Sequence, residues 1–259
     1  MAGIKTDYKY ELYFGKDIVL SDDLIIHQPI LRDIFEYNPP VPEGSNFSGA
    51  GEHAFYRMVS TLVSTPADYD VQLDAAGVRY EDVDELDFFF SLVHMYGLTP
   101  DVTYPILGEL DLTKFVRLKD TDTERIIFRN ENGMTFDKAF YTHVVGIIRD
   151  MFSLTANNTK WQSEASRQMH FEYERKRARR HHREKPILIP IISMLVNTPG
   201  YKYNREETLD LNIYFFYDCL KQVMHSSQVD HLMTGVYVGM VDTKKMNLEE
   251  SLSMIRKDV

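Results

Sequence analysis

The chain has 259 residues and a single cysteine, Cys219. One cysteine excludes an intramolecular disulfide and any zinc site built on cysteine pairs, and it suits a reducing compartment. Long apolar runs are missing too. The opening MAGIKTDYKYELYFG lacks the hydrophobic stretch of a secretory leader. The most apolar segment, PILIPIISMLV, is short and interrupted by Pro186 and Pro190, whereas a membrane span takes about 20 apolar residues in a row. The expectation is a soluble, intracellular protein with no membrane partner.

Catalytic signatures are equally scarce. GSNFSGAGEH is the one glycine-rich stretch, and it lacks the Lys-Ser/Thr of a phosphate loop and a preceding βα unit. No serine stands in a nucleophile-elbow context. Cys219 sits within an apolar helical pattern, which reads as a buried, inert thiol. Adjacent His181 and His182 would point about 100° apart on a helix and lie among cationic residues, so they do not make a metal pair; His170 is too distant to help. The acidic runs DVDEL and DTDTE read as a helix cap and an exposed turn, and DTDTE lacks the glycine and distal glutamate of a calcium loop. GELD adds carboxylates without a partner that spacing can identify. No enzyme, no metal and no cofactor is the expectation.

What the chain does have is charge asymmetry. Its net charge is −10, yet residues 175–185 carry seven Lys or Arg against one Glu, leaving −16 on the remainder. Arg175, Lys176, Arg177, Arg179, Arg180, Arg183 and Lys185 form a stretch without interleaved aromatic or amide side chains. It therefore suits sequence-blind phosphate contact, an acidic protein partner, or a solvated helix paired with Glu172, Glu174 and Glu184.

Hydrophobic periodicity predicts an α+β fold, mainly α: a helical body with a small N-terminal β-hairpin and a short central β insertion near 114–129. YKYELYF and the pair DIVL and LIIHQP around SDD read as strands, and PILRDIFEY as a short helix. A β-rich element over 1–37, a loop over 38–53 carrying NPPVPEGSNFSGAGEH, and a mainly helical domain over 54–259 follow from the pattern. HAFYRMVSTLVS is amphipathic; TPADYDVQLDAAG has Thr65 as cap, Pro66 at the first helical position and Gly77 as stop; DVDELDFFFSLVHMYG puts Leu86, Phe89, Phe90 and Val93 on one face. KFVRLKD and ERIIFRN supply the central strands, and residues 137–152 a helix with Phe140, Val144, Ile147, Ile148 and Met151 on one side. A long polar helix over about 162–184 shows a thin apolar stripe at Trp161, Ala165, Met169 and Tyr173. After it ILIPIISMLVN should be buried, TPGYKYNREE should turn, and TLDLNIYFFYDCLKQVMH should form a helix with Leu209, Ile213, Phe216, Leu220 and Val223 toward the core. QVDHLMTGVYVG and NLEESLSMIRKD read as a final pair. Sixteen Tyr and fifteen Phe predict an aromatic core, with the twelve Met as core filler or adaptable surface.

The segments LVNTPGYKYN, LDLNIYFFYDCLKQV and GVYVGMVDTKKMN resemble stretches of tail-assembly or morphogenesis proteins of tailed bacteriophages of Gram-positive hosts. YELYFGKDIVLSDDLIIHQPILRDI is similar to the short β start of phage tail-assembly proteins. The resemblance spans about half the chain and carries no site residues. It implies a protein made in the host cytoplasm, or carried into the virion, that acts non-enzymatically through contacts with other phage structural proteins, chaperone-like or as a minor component. The alternative is a nucleic-acid-binding phage protein that uses the basic helix 175–185.

Overall fold

A computed structural model describes residues 8–40, 47–120, 125–178, 185–240, 247 and 251–254. The fold is mainly α, with a two-stranded hairpin near the N-terminus and a three-stranded central sheet. In the hairpin, β1 (Ile18–Ser21) pairs antiparallel with β2 (Leu24–Ile26) across a turn at Asp22 and Asp23. Ile18, Leu24 and Ile26 point into the core while Val19 and Ile25 stay exposed, the alternation of a strand buried on one face.

The segment YKYELYF is not a strand. It forms the helix α1 (Lys9–Tyr13), with only Leu12 buried. Strand propensity is realised only against a neighbouring strand. In the helix, by contrast, Tyr10 and Phe14 meet one turn apart, with ring centroids 4.6 Å from each other.

The centre follows the sequence pattern closely. Helices α2 (Leu31–Glu36), α3 (Gly51–Val63), α5 (Glu85–Tyr96) and α7 (Lys138–Met151) surround one apolar core. Asp84 caps α5 by accepting from the N–H groups of Leu86 and Asp87, and Asp137 caps α7 through Phe140 N–H at 2.7 Å. Gly97 ends α5 in the left-handed conformation. Around Thr65 the expected helix starts with a 3-10 turn (Pro66–Tyr69), whose Asp68 carboxylate accepts from the Thr65 N–H, and continues as α4 (Asp70–Ala75). Helix α6 (Pro100–Leu107), with Pro100 at its start and Pro105 inside it, is a helix that the periodicity did not reveal. The central sheet runs β3 (Val116–Lys119), β4 (Ile126–Arg129), β5 (Thr135–Phe136), all antiparallel. Phe128 and Phe136 pair across β4 and β5, and Phe90 of α5 stacks on Phe128 at 4.0 Å. Residues 41–46 of the proline-rich loop and 121–124 of DTDTE lie outside the described residues; Phe47, at the loop's far end, is fully buried.

The C-terminal third departs from expectation at three places. Helix α8 (Glu164–Ala178) buries Arg167 and Phe171, whereas Ala165, Met169 and Tyr173 of the apolar stripe face outward. Helix α9 (Leu188–Val196) buries Leu188, Ile192 and Leu195 but exposes Ile189 and Met194, so ILIPIISMLVN is half-buried rather than interior. The expected helix after TPGY is two: α10 (Arg205–Leu209), then α11 (Ile213–Tyr237), which begins at its cap Asn212 and runs unbroken through QVDHLMTGVY. The separation falls where the N-terminal segment docks. Leu31 N–H donates to Leu211 O, Ile213 N–H donates to Pro29 O, and Arg32 grips Asp210 with two hydrogen bonds. Those backbone bonds take positions 211–213 out of a continuous helical ladder. Gly15 packs so close here that a Cβ would lie 2.9 Å from the Asn212 amide nitrogen. Residues 241–246 and most of NLEESLSMIRKD lie outside the described residues.

Candidate functional site

A groove of about 980 Å³ runs along α11. One wall is the exposed side of α11 between Phe215 and His231; the other is Met194 and the loop 198–203. Local chemistry shapes the loop. Thr198-Pro199-Gly200-Tyr201 closes with a Tyr201 N–H to Thr198 O bond of 3.1 Å, and Gly200 takes φ +92°, as a turn with proline second and glycine third requires. Asn204 then caps α10, its side chain accepting from Glu207 N–H while Glu207 accepts from Asn204 N–H.

Aromatic rings hold the loop to the helix. Tyr201 meets Tyr203, Tyr203 meets Phe215 edge-on, and Tyr13 of α1 meets Phe215 edge-on at 5.2 Å. The Tyr201 hydroxyl and Thr208 hydroxyl are 3.2 Å apart. Val223 and Met224 continue the apolar floor, and Asp218, Asp230 and Lys202 supply the charge, with His231 at the far end. Cys219 lies in this wall, half-buried, and burial, reinforced by Asp218, pushes its thiol up to about 11. A thiol held protonated at neutral pH is a poor nucleophile.

Two buried carboxylates tie together elements that are far apart in the sequence. Glu52 of α3 accepts from the N–H groups of Ile187 and Leu188 at 3.1 and 2.9 Å, so it caps the start of α9 from a distant helix. Asp70 of α4 receives the Arg167 guanidinium at 2.6 Å and the Trp161 indole N–H at 2.7 Å. Arg167 reaches Asp74 at 3.2 Å and lies 4.9 Å over the Phe171 ring. Arg167 and Asp70 leave only 6% and 5% of their side chains exposed. This latch holds α8 in place and turns its Met169 and Tyr173 outward.

The basic residues fall at the open end of α8. Arg175, Lys176 and Arg177 are exposed on its last turn, and exposed Lys185 stands just before α9. Arg179, Arg180 and Arg183, with His181 and His182, lie outside the described residues. Lys176 lies 3.6 Å from Glu172, and Arg177 lies 3.4 Å from Glu174. Exposed pairs of this kind are worth at most ~1 kcal/mol and exchange readily for another partner.

A second cavity, of about 460 Å³, gathers Asp22, Asp23, His27, Glu109, Asp111 and Glu131 where the hairpin meets GELD. Its polar groups are partly occupied: His27 Nδ1 lies 3.0 Å from the Asp17 carboxylate outside the cavity, and Asp111 accepts from Thr113 N–H and lies 3.5 Å from Lys114. Among the described residues no group of three or more His, Cys, Asp or Glu is arranged to hold a metal ion. No described helix is long and apolar enough to cross a membrane.

A family model described as the YomV second domain matches residues 181–256, less than a third of the chain. The family is of a Bacillus phage type, and the match fits a phage protein. It takes in α9, α10, α11 and every residue lining the groove except Tyr13. No curated protein and no solved structure matches the chain. Sequence reasoning missed the groove because its two walls come from separate elements; the dense aromatic text YKYNREETLDLNIYFF was the available signal.

Proposed function

We propose that this chain is a phage morphogenesis protein that works by binding other proteins, in tail assembly, and not by catalysis. The observation that carries this reading is the exposed apolar surface of the segment similar to the phage family. Met194 of α9, Met224 and Tyr237 of α11, and Val238 and Met240 just past its end are exposed, and Tyr237 and Met240 are more than four-fifths accessible. Scattered apolar side chains are ordinary on a surface, but three within four residues at the end of α11 mark a contact region. Methionine suits such a role because its flexible thioether adapts to an irregular partner. The half-buried, high-pKa thiol of Cys219 gives no support to a nucleophile in the groove.

The test is capture of the tagged full chain from cells in which the phage is replicating, with and without nuclease, followed by reconstitution with each captured protein after purification. Identified tail proteins that bind the purified chain, regardless of nuclease, are the expected result. Capture of nucleic acid alone, lost on reversing the charge of Arg175, Lys176 and Arg177, would overturn the reading and transfer the function to the basic helix.

A further inference from the structure

We infer that the groove along α11 is filled by α8 of a second copy of this chain, so that copies join head to tail. This inference deepens the binding reading and rests on it. Among the described residues the molecule carries two open surfaces, the first touched only at its rim, where Gln222 donates to Met254 O. One is the groove between α11 and the loop 198–203. The other is the outward face of α8, where Ala165, Met169, Tyr173 and Lys176 recur at helical spacing, with Met169 74% and Tyr173 63% exposed.

The two match in kind, size and charge. Met169 and Tyr173 offer an apolar ridge to a trough walled by Tyr203, Phe215, Val223 and Met224. The trough follows α11 from Phe215 to His231, roughly 24 Å at 1.5 Å per residue, and the fifteen residues of α8 extend about 22 Å. Charge singles out this occupant. Copies with a net charge of −10 repel one another in almost every orientation, and the basic stretch beginning at Arg175 is the region that reverses the sign. Docking α8 brings Arg175, Lys176 and Arg177 toward a trough bearing Asp218 and Asp230, while Glu172 can answer Lys202. Lys176 and Arg177 give up only weak exposed pairs to do so.

The chain cannot satisfy itself in this way. Its own α8 is held against Asp70 and Asp74 by Arg167, and no residue of α8 lines its own groove. A contact between two different patches is heterologous, and repetition builds a ring or a chain.

The experiment is light scattering of the full chain over a concentration series, with Met169→Glu and Met224→Glu as variants. Both positions are exposed, so the fold survives, which circular dichroism checks. The wild-type chain should form species larger than one copy that shrink as salt rises. Each variant should weaken assembly by about tenfold or more, because a carboxylate enters an apolar contact. The decisive arm is the mixture: Met169→Glu keeps its groove and Met224→Glu keeps its helix face, so together they should form a dimer that grows no further. A wild-type chain that stays monomeric, or an assembly indifferent to both substitutions, overturns the inference. If the monomeric chain still binds purified tail proteins, the broader binding reading stands without it.

Discussion

Removing the Asp70 carboxylate should release α8, and the structure allows the size of the effect to be worked through. In Asp70→Ala, Arg167 loses a two-pronged partner at a site where its side chain is 6% exposed, and Trp161 loses its acceptor. Breaking one side of a buried pair costs about 3–5 kcal/mol because the remaining charge is stranded. Arg167 is not wholly stranded, since Asp74 at 3.2 Å and Glu164 at 3.7 Å persist, which points to the lower end of that range. The loss of about 3 kcal/mol should not appear as global unfolding. Among its described side chains helix α8 buries Arg167 and Phe171 alone, so the helix detaches before the core opens. The assay is therefore amide hydrogen exchange read by mass spectrometry. Protection over residues 164–178 should fall by about a hundredfold, at ~1.4 kcal/mol per factor of ten, while α5 and α7 keep theirs. Replacing both partners, Asp70→Leu with Arg167→Met, should recover part of the loss, since no guanidinium is then stranded although Asp74 loses its cation and Trp161 its acceptor. Unchanged protection of α8 in Asp70→Ala would refute the latch.

Three further outcomes follow from buried groups elsewhere. Glu52→Ala removes the acceptor for two N–H groups at the start of α9 and should lower stability by about 1–3 kcal/mol, with Glu52→Gln retaining part of it, as urea denaturation would show. His143 has a buried Nε2 without a hydrogen-bond partner among the described residues, and desolvation lowers its pKa from the usual 6.5. The unfolded chain therefore takes up this proton first, so the stability that depends on neutral His143 is present above 6.5 and declines as pH falls through that value. His143→Phe should flatten that acid slope in urea midpoints measured on either side of 6.5; an unaltered slope would show that other groups set it. Burial and the raised thiol of Cys219 predict alkylation by iodoacetamide at least ~10-fold slower in the native chain than in urea, and equal rates would contradict it.

By itself the sequence determined the elements whose signals are local. Helices α3, α5 and α7 follow from apolar residues at helical spacing; the starts at Asp84 and Asp137 and the left-handed stop at Gly97 need only side chains within a turn of the helix end. The hairpin and the central strands were equally legible, because alternation and turn residues lie within a dozen positions. Tertiary structure decided what depends on a partner far along the chain. Tyr8–Phe14 had strand composition but no neighbouring strand, so it became α1. Arg167 is interior and Met169 exposed because Asp70, 97 residues earlier, supplies the charge that makes burying a guanidinium tolerable. The helices α10 and α11 separate because Pro29 and Leu31 claim the backbone between them. The groove exists only once the TPGY turn folds back on α11 beside Tyr13, and no periodicity in a single segment encodes a space between two.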